Sequence, residues 1–360
     1  MPTWLSNLQQ SFKSHNFDHR VWDAGAGKLL VTVDGARIIG CAMPSVEGNL
    51  FWHPPELERG ELDSVAGGDR LWVAPEAGFI FTDIKKARRD PVNHAKVPDC
   101  MDPGDWRIVE DGPGHLRLTT EMAMTDHRTG KKVNLRIARQ FDVIDRPPAP
   151  LPKRIKCLSF TIRNELTMLD CDHGTIANVW DLLQLPATGW LICPTLGRVD
   201  KPHSYYESFG PKHVKSDSSA VRFLIDGKRR IKMGLTPMQT TGRMGYYRVP
   251  DAWPRTDQRR RGAGKHSTLI FRMFMPIPGQ PYADVPLKSD AMIGEDCLQS
   301  YNDDGTYASG SGFGEMEHHD PALVAGQEPT SRVGVSVTHV LAGHDADIRA
   351  AGKMLLGVRV

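Results

Sequence analysis

Apolar and polar positions alternate with a period of two along most of the chain, which predicts strands. Lys28–Val33 leads into the turn signal Asp34-Gly35 and then Ala36–Ala42, a hairpin. His115–Met124 and Val133–Val143 alternate on either side of a turn at Thr129-Gly130. Further strands are expected at Cys157–Leu166, Ile176–Leu182, Trp190–Cys193, Val221–Ile225, Gly245–Val249, Leu269–Met275, Gly312–His319 and Val333–Leu341. Helical spacing is confined to the two ends. Trp4, Leu5, Leu8 and Phe12 make a stripe over residues 4–14, and Ile348, Ala351, Met354 and Leu355 make another over about 345–356, ahead of Gly357. Pro-rich Arg146–Pro152 interrupts the pattern, but strands resume at once. With no fixed repeat and no βαβ alternation, the pattern predicts one all-β domain over 1–360. Its architecture is an antiparallel β-sandwich with short terminal helices.

Composition narrows the partners. The 360 residues are 40% hydrophobic and 24% charged with a net charge of +2, so no global field draws the chain to nucleic acid or an anionic membrane. The densest basic run, Arg255–Lys265, sits among Pro and Gly and reads as a solvated loop. Six irregularly spaced cysteines without a CxxC pair indicate reduced thiols rather than a disulfide framework or zinc site. Met1–Leu5 opens neither a basic nor an apolar leader region, and no apolar run approaches the ~20 residues of a membrane span. A cytoplasmic protein is the expectation.

Three stretches carry candidate chemistry. In Gly312–Pro321, strand alternation puts Glu315, Glu317 and His319 on one face and Met316 and His318 on the other. Carboxylates and an imidazole side by side suit acid–base work in a cleft, or else an exposed edge with solvated charges. Gly67-Gly68-Asp69-Arg70-Leu71-Trp72, followed by Pro75-Glu76, presents an arginine beside a flat aromatic face, good equipment for a sugar. Its competing reading is an Arg70–Glu76 pair with Trp72 in the core. In Asp172–Leu182, alternation puts Asp181 with Ala177 and Val179, and Trp180 with Asn178, while His173 sits at a turn. No phosphate loop, nucleophile elbow or HExxH motif occurs. Adjacent histidines on a strand face opposite ways, so no metal and no cofactor is expected.

These stretches, taken in order with Gly35–Gly40 and Asn49–Trp52, resemble the galactose mutarotase-like (aldose 1-epimerase-like) superfamily over residues 28–341, nearest to bacterial branches reading Gly-Gly-x-Arg-Leu-Trp. The resemblance implies a β-supersandwich with a carbohydrate cleft on one sheet face. It implies a late-strand glutamate as base, matched by Glu317 with Glu315 one step away, and a histidine as acid. The family's Asn-His-(Thr/Ser)-Tyr-Phe-Asn-Leu pattern falls on Ile176–Leu182, where Ala177 stands in place of the histidine. His94, His127, His173, His318 and His319 are the replacements to test. Arg70, Trp72, Glu76, Trp180, Asp181, Arg243 and Tyr301 are the expected sugar contacts, with Tyr301–Gly305 otherwise readable as a turn. The expected activity is that of an epimerase or mutarotase. A polysaccharide lyase or glycoside hydrolase, using Tyr205, Tyr206 or Tyr301 as acid, and a non-catalytic carbohydrate-binding protein are the alternatives.

Overall fold

The computed structural model describes residues 2–44, 46–249, 266–306 and 312–360, and the basic run Arg255–Lys265 lies outside them. Two ten-stranded antiparallel sheets are present among the described residues. The first runs β1 (His19–Ala24), β2 (Gly27–Thr32), β3 (Arg37–Ala42), β4 (Asp69–Ala74), β9 (Ile176–Pro186), β18 (Phe313–His319), β17 (Leu298–Asn302), β14 (Ile231–Leu235) and β11 (His203–Ser204), with β19 (Leu323–Val324) paired to β9. The second runs β12 (Val214–Ser216), β13 (Ala220–Ile225), β10 (Gly189–Pro194), β15 (Arg243–Arg248), β16 (His266–Met273), β20 (Ser331–His344), β8 (Lys156–Met168), β7 (Lys131–Val143), β6 (His115–Asp126) and β5 (Arg107–Gly112).

The predicted alternation is visible in β6, where Leu116, Leu118, Met122 and Met124 are buried between more exposed neighbours. Those side chains join Ile137, Phe141, Leu158 and Phe160 of the second sheet against Val73, Leu183, Leu185 and Met316 of the first. β9 and β18 are buried along nearly their whole length, so both of their faces are covered. The expected helices are α1 (Thr3–Ser14) and α6 (Asp345–Leu356). The stripe of α1 packs on Leu30 and Ile39; of the stripe of α6, Ile348, Ala351 and Leu355 pack on Leu269, Phe271 and Leu341, whereas Met354 is exposed.

The sequence reading missed four short helices between β3 and β5: α2 (Pro55–Arg59), α3 (Glu76–Phe79), α4 (Ile84–Ala87) and α5 (Pro91–His94). Each is about one turn long, too short to establish a 3.6-residue period. Strands β1, β4, β5, β11, β12, β14, β17 and β19 were missed as well. Among the described residues no helix is long and apolar enough to cross a membrane.

An ion network joins the sheets at the centre of the core. Arg139 Nη1 of β7 donates to Asp181 Oδ1 of β9 at 2.5 Å, and Asn164 Nδ2 of β8 donates to Asp181 Oδ2 at 2.6 Å. Arg272 of β16 pairs with Asp69 of β4, and His318 Nε2 lies 3.3 Å from Asp181 Oδ2. Both arginines and both aspartates are essentially inaccessible. Two charges of each sign cancel here, but each depends on its partner. Arg139→Leu is expected to leave Asp181 as an underpaired buried charge and to cost about 3–5 kcal/mol, read as a lowered urea midpoint.

Candidate functional site

The outward face of the first sheet carries a cavity of about 500 Å³, floored by β4, β9, β18, β17 and β14. Its entrance to β4 is shaped by Gly67 and Gly68, at φ +98° and +71°. A Cβ at Gly68 would lie 2.4 Å from the Ile38 carbonyl oxygen, so only glycine lets the chain pass. The Gly68 N–H donates to the Trp52 carbonyl at 2.8 Å, and the Gln184 N–H donates to the Gly68 carbonyl at 2.9 Å, which locks this turn to the sheet.

From there β4 alternation sends Arg70 and Trp72 outward and Asp69, Leu71 and Val73 inward. The Arg70 guanidinium carbon sits 3.7 Å from the Trp72 ring centroid, and its Nη2 donates to Glu315 Oε1 at 2.9 Å. Arg70 therefore pairs with Glu315, not with Glu76. Gln184 Nε2 donates to the same carboxylate oxygen at 3.0 Å. Trp72 Nε1 donates to Asp102 Oδ2 at 2.9 Å, and Asp102 also pairs with buried Arg37 on the cavity wall. Trp52 stacks on Phe313 with centroids 4.3 Å apart, closing one end in aromatic surface.

Lys232 of β14 occupies the opposite side. Its Nζ lies 3.2 Å from Glu317 Oε2, 3.5 Å from Glu76 Oε2 and 3.8 Å from Asp284 Oδ2. It also stands 4.1 Å from the Trp180 ring centroid. Trp180 Nε1 donates to Glu317 Oε2 at 2.8 Å, and Tyr206 donates to Glu76 Oε1 at 2.8 Å. Glu315 lines the cavity, whereas Glu317 is fully buried behind Lys232 and Trp180, with Oε1 unpartnered. Burial pushes Glu317 up to about 8. Lys232 opposes that rise and Glu315 adds to it. Burial likewise raises Glu315, against Arg70 and Lys232. Lys232 is itself raised: burial draws it down, but Glu317, Glu76 and Asp284 outweigh burial.

The structure thus gathers Arg70, Trp72, Glu76, Trp180, Tyr301 and Glu315 around one cavity, with Glu317 beneath it. Tyr301 is on β17 rather than in a turn, and its hydroxyl donates to Asp303 Oδ2 at 2.8 Å. Other expected contacts are elsewhere. Asp181 points between the sheets into the ion network, as strand parity requires. Arg243 is on the second sheet, where it donates to the Leu355 carbonyl at the end of α6. His173 is an exposed turn residue whose carbonyl accepts from Lys131. His319 shares the face of Glu317, yet it is stacked on Trp180 and bonded to Asn178 below the cavity. Burial holds His318 down at about 4 and His319 well below its ordinary value, so both imidazoles are neutral. No histidine lines the cavity among the described residues. Sequence reasoning did not single out Lys232, Gln184, Arg37 or Asp102. Tyr206 had entered only as a lyase acid.

With this geometry in view, the fold has known counterparts. A candidate aldose 1-epimerase from Escherichia coli K12 is similar over 90% of this chain and 99% of its own, at 12% identity and a TM-score of 0.52. A galactose mutarotase-like protein from Lactobacillus casei ATCC 334 (8% identity, 90% and 100% coverage, TM-score 0.43) and a galactose 1-epimerase from Lactobacillus acidophilus NCFM (10%, 91% and 95%, 0.42) are more distantly similar. At such identities the likeness shows the fold alone, a galactose mutarotase-like β-sandwich. The chain belongs to a family of unknown function, DUF6786, whose profile matches residues 56–256. None of the curated proteins matches the sequence.

The raised Glu317 has a measurable signature. The native state keeps this proton between about 4.5, its ordinary value, and about 8, while the unfolded chain has lost it. Native protein then binds more protons than unfolded protein, so this group's contribution to stability falls as pH rises through that window. Urea titrations at several pH values are expected to show a steeper loss of stability from pH 5 to 8.5 in wild type than in Glu317→Gln, and parallel curves would contradict the assignment.

Proposed function

We propose that this protein is a carbohydrate-active enzyme of the aldose epimerase or mutarotase type, acting on a single sugar unit in the cavity above β4, β9 and β18. The observation that carries the reading is the Arg70–Glu315 pair laid on Trp72 at the floor of a cavity of about 500 Å³, within the range of ordinary small-ligand pockets. A sugar presents hydroxyls on its rim and a C–H face, and this floor offers charged hydrogen-bonding groups beside an indole. Glu315 is the carboxylate at the cavity surface and is assigned as the acceptor of the anomeric proton. Arg70 anchors the substrate and orients Glu315. The chemistry is acid–base-assisted opening and reclosure of the sugar ring and calls for no cofactor or metal. Six unpaired cysteines support a reducing compartment such as the cytoplasm.

Non-catalytic sugar binding is the second reading, favoured by one feature: the family's histidine position holds Ala177, and no histidine among the described residues replaces it at the cavity. A lyase or hydrolase acting on long chains is less well supported by a pocket of single-sugar size.

Proton NMR of purified protein with a panel of monosaccharides and oligosaccharides separates these readings by following anomeric exchange, new double bonds and new reducing ends. The expected result is accelerated anomeric exchange that Glu315→Gln slows by roughly 10²–10⁴-fold, the range for loss of a general base. Trp72→Ala is expected to weaken sugar binding. Sugar signals that broaden equally with wild type and Glu315→Gln, without exchange, would establish the binder instead.

A further inference from the structure

We infer that Lys232 is the proton donor of this site, protonating the ring oxygen of the sugar while Glu315 accepts the anomeric proton. The inference rests on the epimerase reading above. Register places the two groups on one row across the sheet: Lys232 lies opposite Tyr301, and Tyr301 opposite Glu315. Their backbones are two strand spacings apart, about 10 Å. The long lysine side chain leans over β17 toward β18, bringing Nζ to 3.2 Å from Glu317. Donor and acceptor therefore approach a ligand from two sides of one small floor.

Every element packed around Nζ contributes a group that keeps it charged or confines it. Glu317 comes from β18, Glu76 from α3 and Asp284 from the segment before β17, while the rings of Trp180 and Tyr205 stand 4.1 and 5.2 Å away. Lys232 is only 2% exposed, yet it lines the cavity. Buried ion pairs of this kind are poor sources of stability, so a fold that keeps one at a cavity has reason to be examined for a role in chemistry. Glu317 is then a positioning residue: its Oε2, 3.2 Å from Nζ, accepts a hydrogen bond from the ammonium whether or not the carboxyl carries its own proton, while Glu76 and Asp284 face the charge from the other sides. Competing donors are off the cavity or already engaged: His318 and His319 do not line it, and the Tyr206 and Tyr301 hydroxyls donate to Glu76 and Asp303.

The step balances without a further reactant. Glu315 takes the proton of the anomeric hydroxyl, and the released O–H pair forms the carbonyl. The bond from the anomeric carbon to the ring oxygen breaks, its pair staying on oxygen, which takes a proton from Lys232 and leaves a neutral amine. The leaving oxygen is far more basic than an amine, so an ammonium held above its usual range still transfers its proton. After rotation of the carbonyl group, the new hydroxyl adds to its other face, the amine recovers its proton, and Glu315 returns the first one.

The test compares Lys232→Arg, Lys232→Met and Lys232→Ala with wild type by anomeric-exchange NMR, with sugar binding and circular dichroism measured alongside. Arginine preserves the positive charge among Glu76, Asp284 and Glu317 but does not give up a proton at accessible pH. The expectation is that the arginine variant folds, binds sugar within about tenfold of wild type and exchanges anomers roughly 10²–10⁴-fold more slowly. Methylammonium should restore exchange to the alanine variant in proportion to its concentration, and tetramethylammonium, a charge with no proton, should not. Wild-type exchange in Lys232→Arg, or equal effects of the two ammonium ions, overturns the inference while leaving the epimerase reading intact if Glu315→Gln is inactive. A wild-type protein that accelerates no sugar overturns both.

Discussion

A strand covered on both faces must find a partner for every polar side chain it carries. β9 and β18 are such strands, and much of the molecule is arranged around satisfying them. On the inner side, Asp181 meets Arg139 from the opposite sheet and His318 from the neighbouring strand, with Arg272 holding Asp69 next to them. On the outer side, Glu315 meets Arg70 and Glu317 meets Lys232. The two solutions differ in completeness. The inner network cancels its charges in a closed interior. The outer one sits at a cavity wall, where burial, with Glu315 adding to it against Lys232, lets Glu317 retain a proton to unusually high pH.

Period-two alternation carried much of this information. It separated Glu315, Glu317 and His319 from Met316 and His318, and it separated Trp180 from Asp181 on β9. Followed strictly, it also removes Asp181 from the cavity, because β4 and β9 pair in register and Trp72 lies opposite Trp180. Parity cannot say where along a strand the cavity ends. His319 has the right face and lies too far along it, under Trp180. Arg243 and His173 were candidates by residue type alone, and nothing local to either ties it to this sheet.

What the sequence hid was hidden for physical reasons. Ile231–Leu235 is buried throughout, so it lacks the polar alternation that marks a half-exposed strand, and its single lysine looks like a surface residue. Tyr301 is the next-to-last residue of β17, whose final residue Asn302 opens the run Asn302-Asp303-Asp304-Gly305, and those turn-forming residue types obscured the strand. Lys232, Tyr301 and Glu315 share a row only because strands distant in sequence are adjacent in space. That proximity belongs to topology rather than to any motif.

The cavity is made of two unlike materials. Its charged floor belongs to paired strands, while much of its wall belongs to connecting segments: Pro54 to Gly67 on one side, and Ala95 to Pro103 beyond the one-turn helices on another. Strand positions are fixed by neighbours on both sides, whereas connecting segments tolerate insertion and exchange. The charged floor and the rim that would meet a ligand are thus written in separable parts of the chain. A lineage, or a designer, has room to rewrite the wall for a different guest while the machinery beneath it stays as it is.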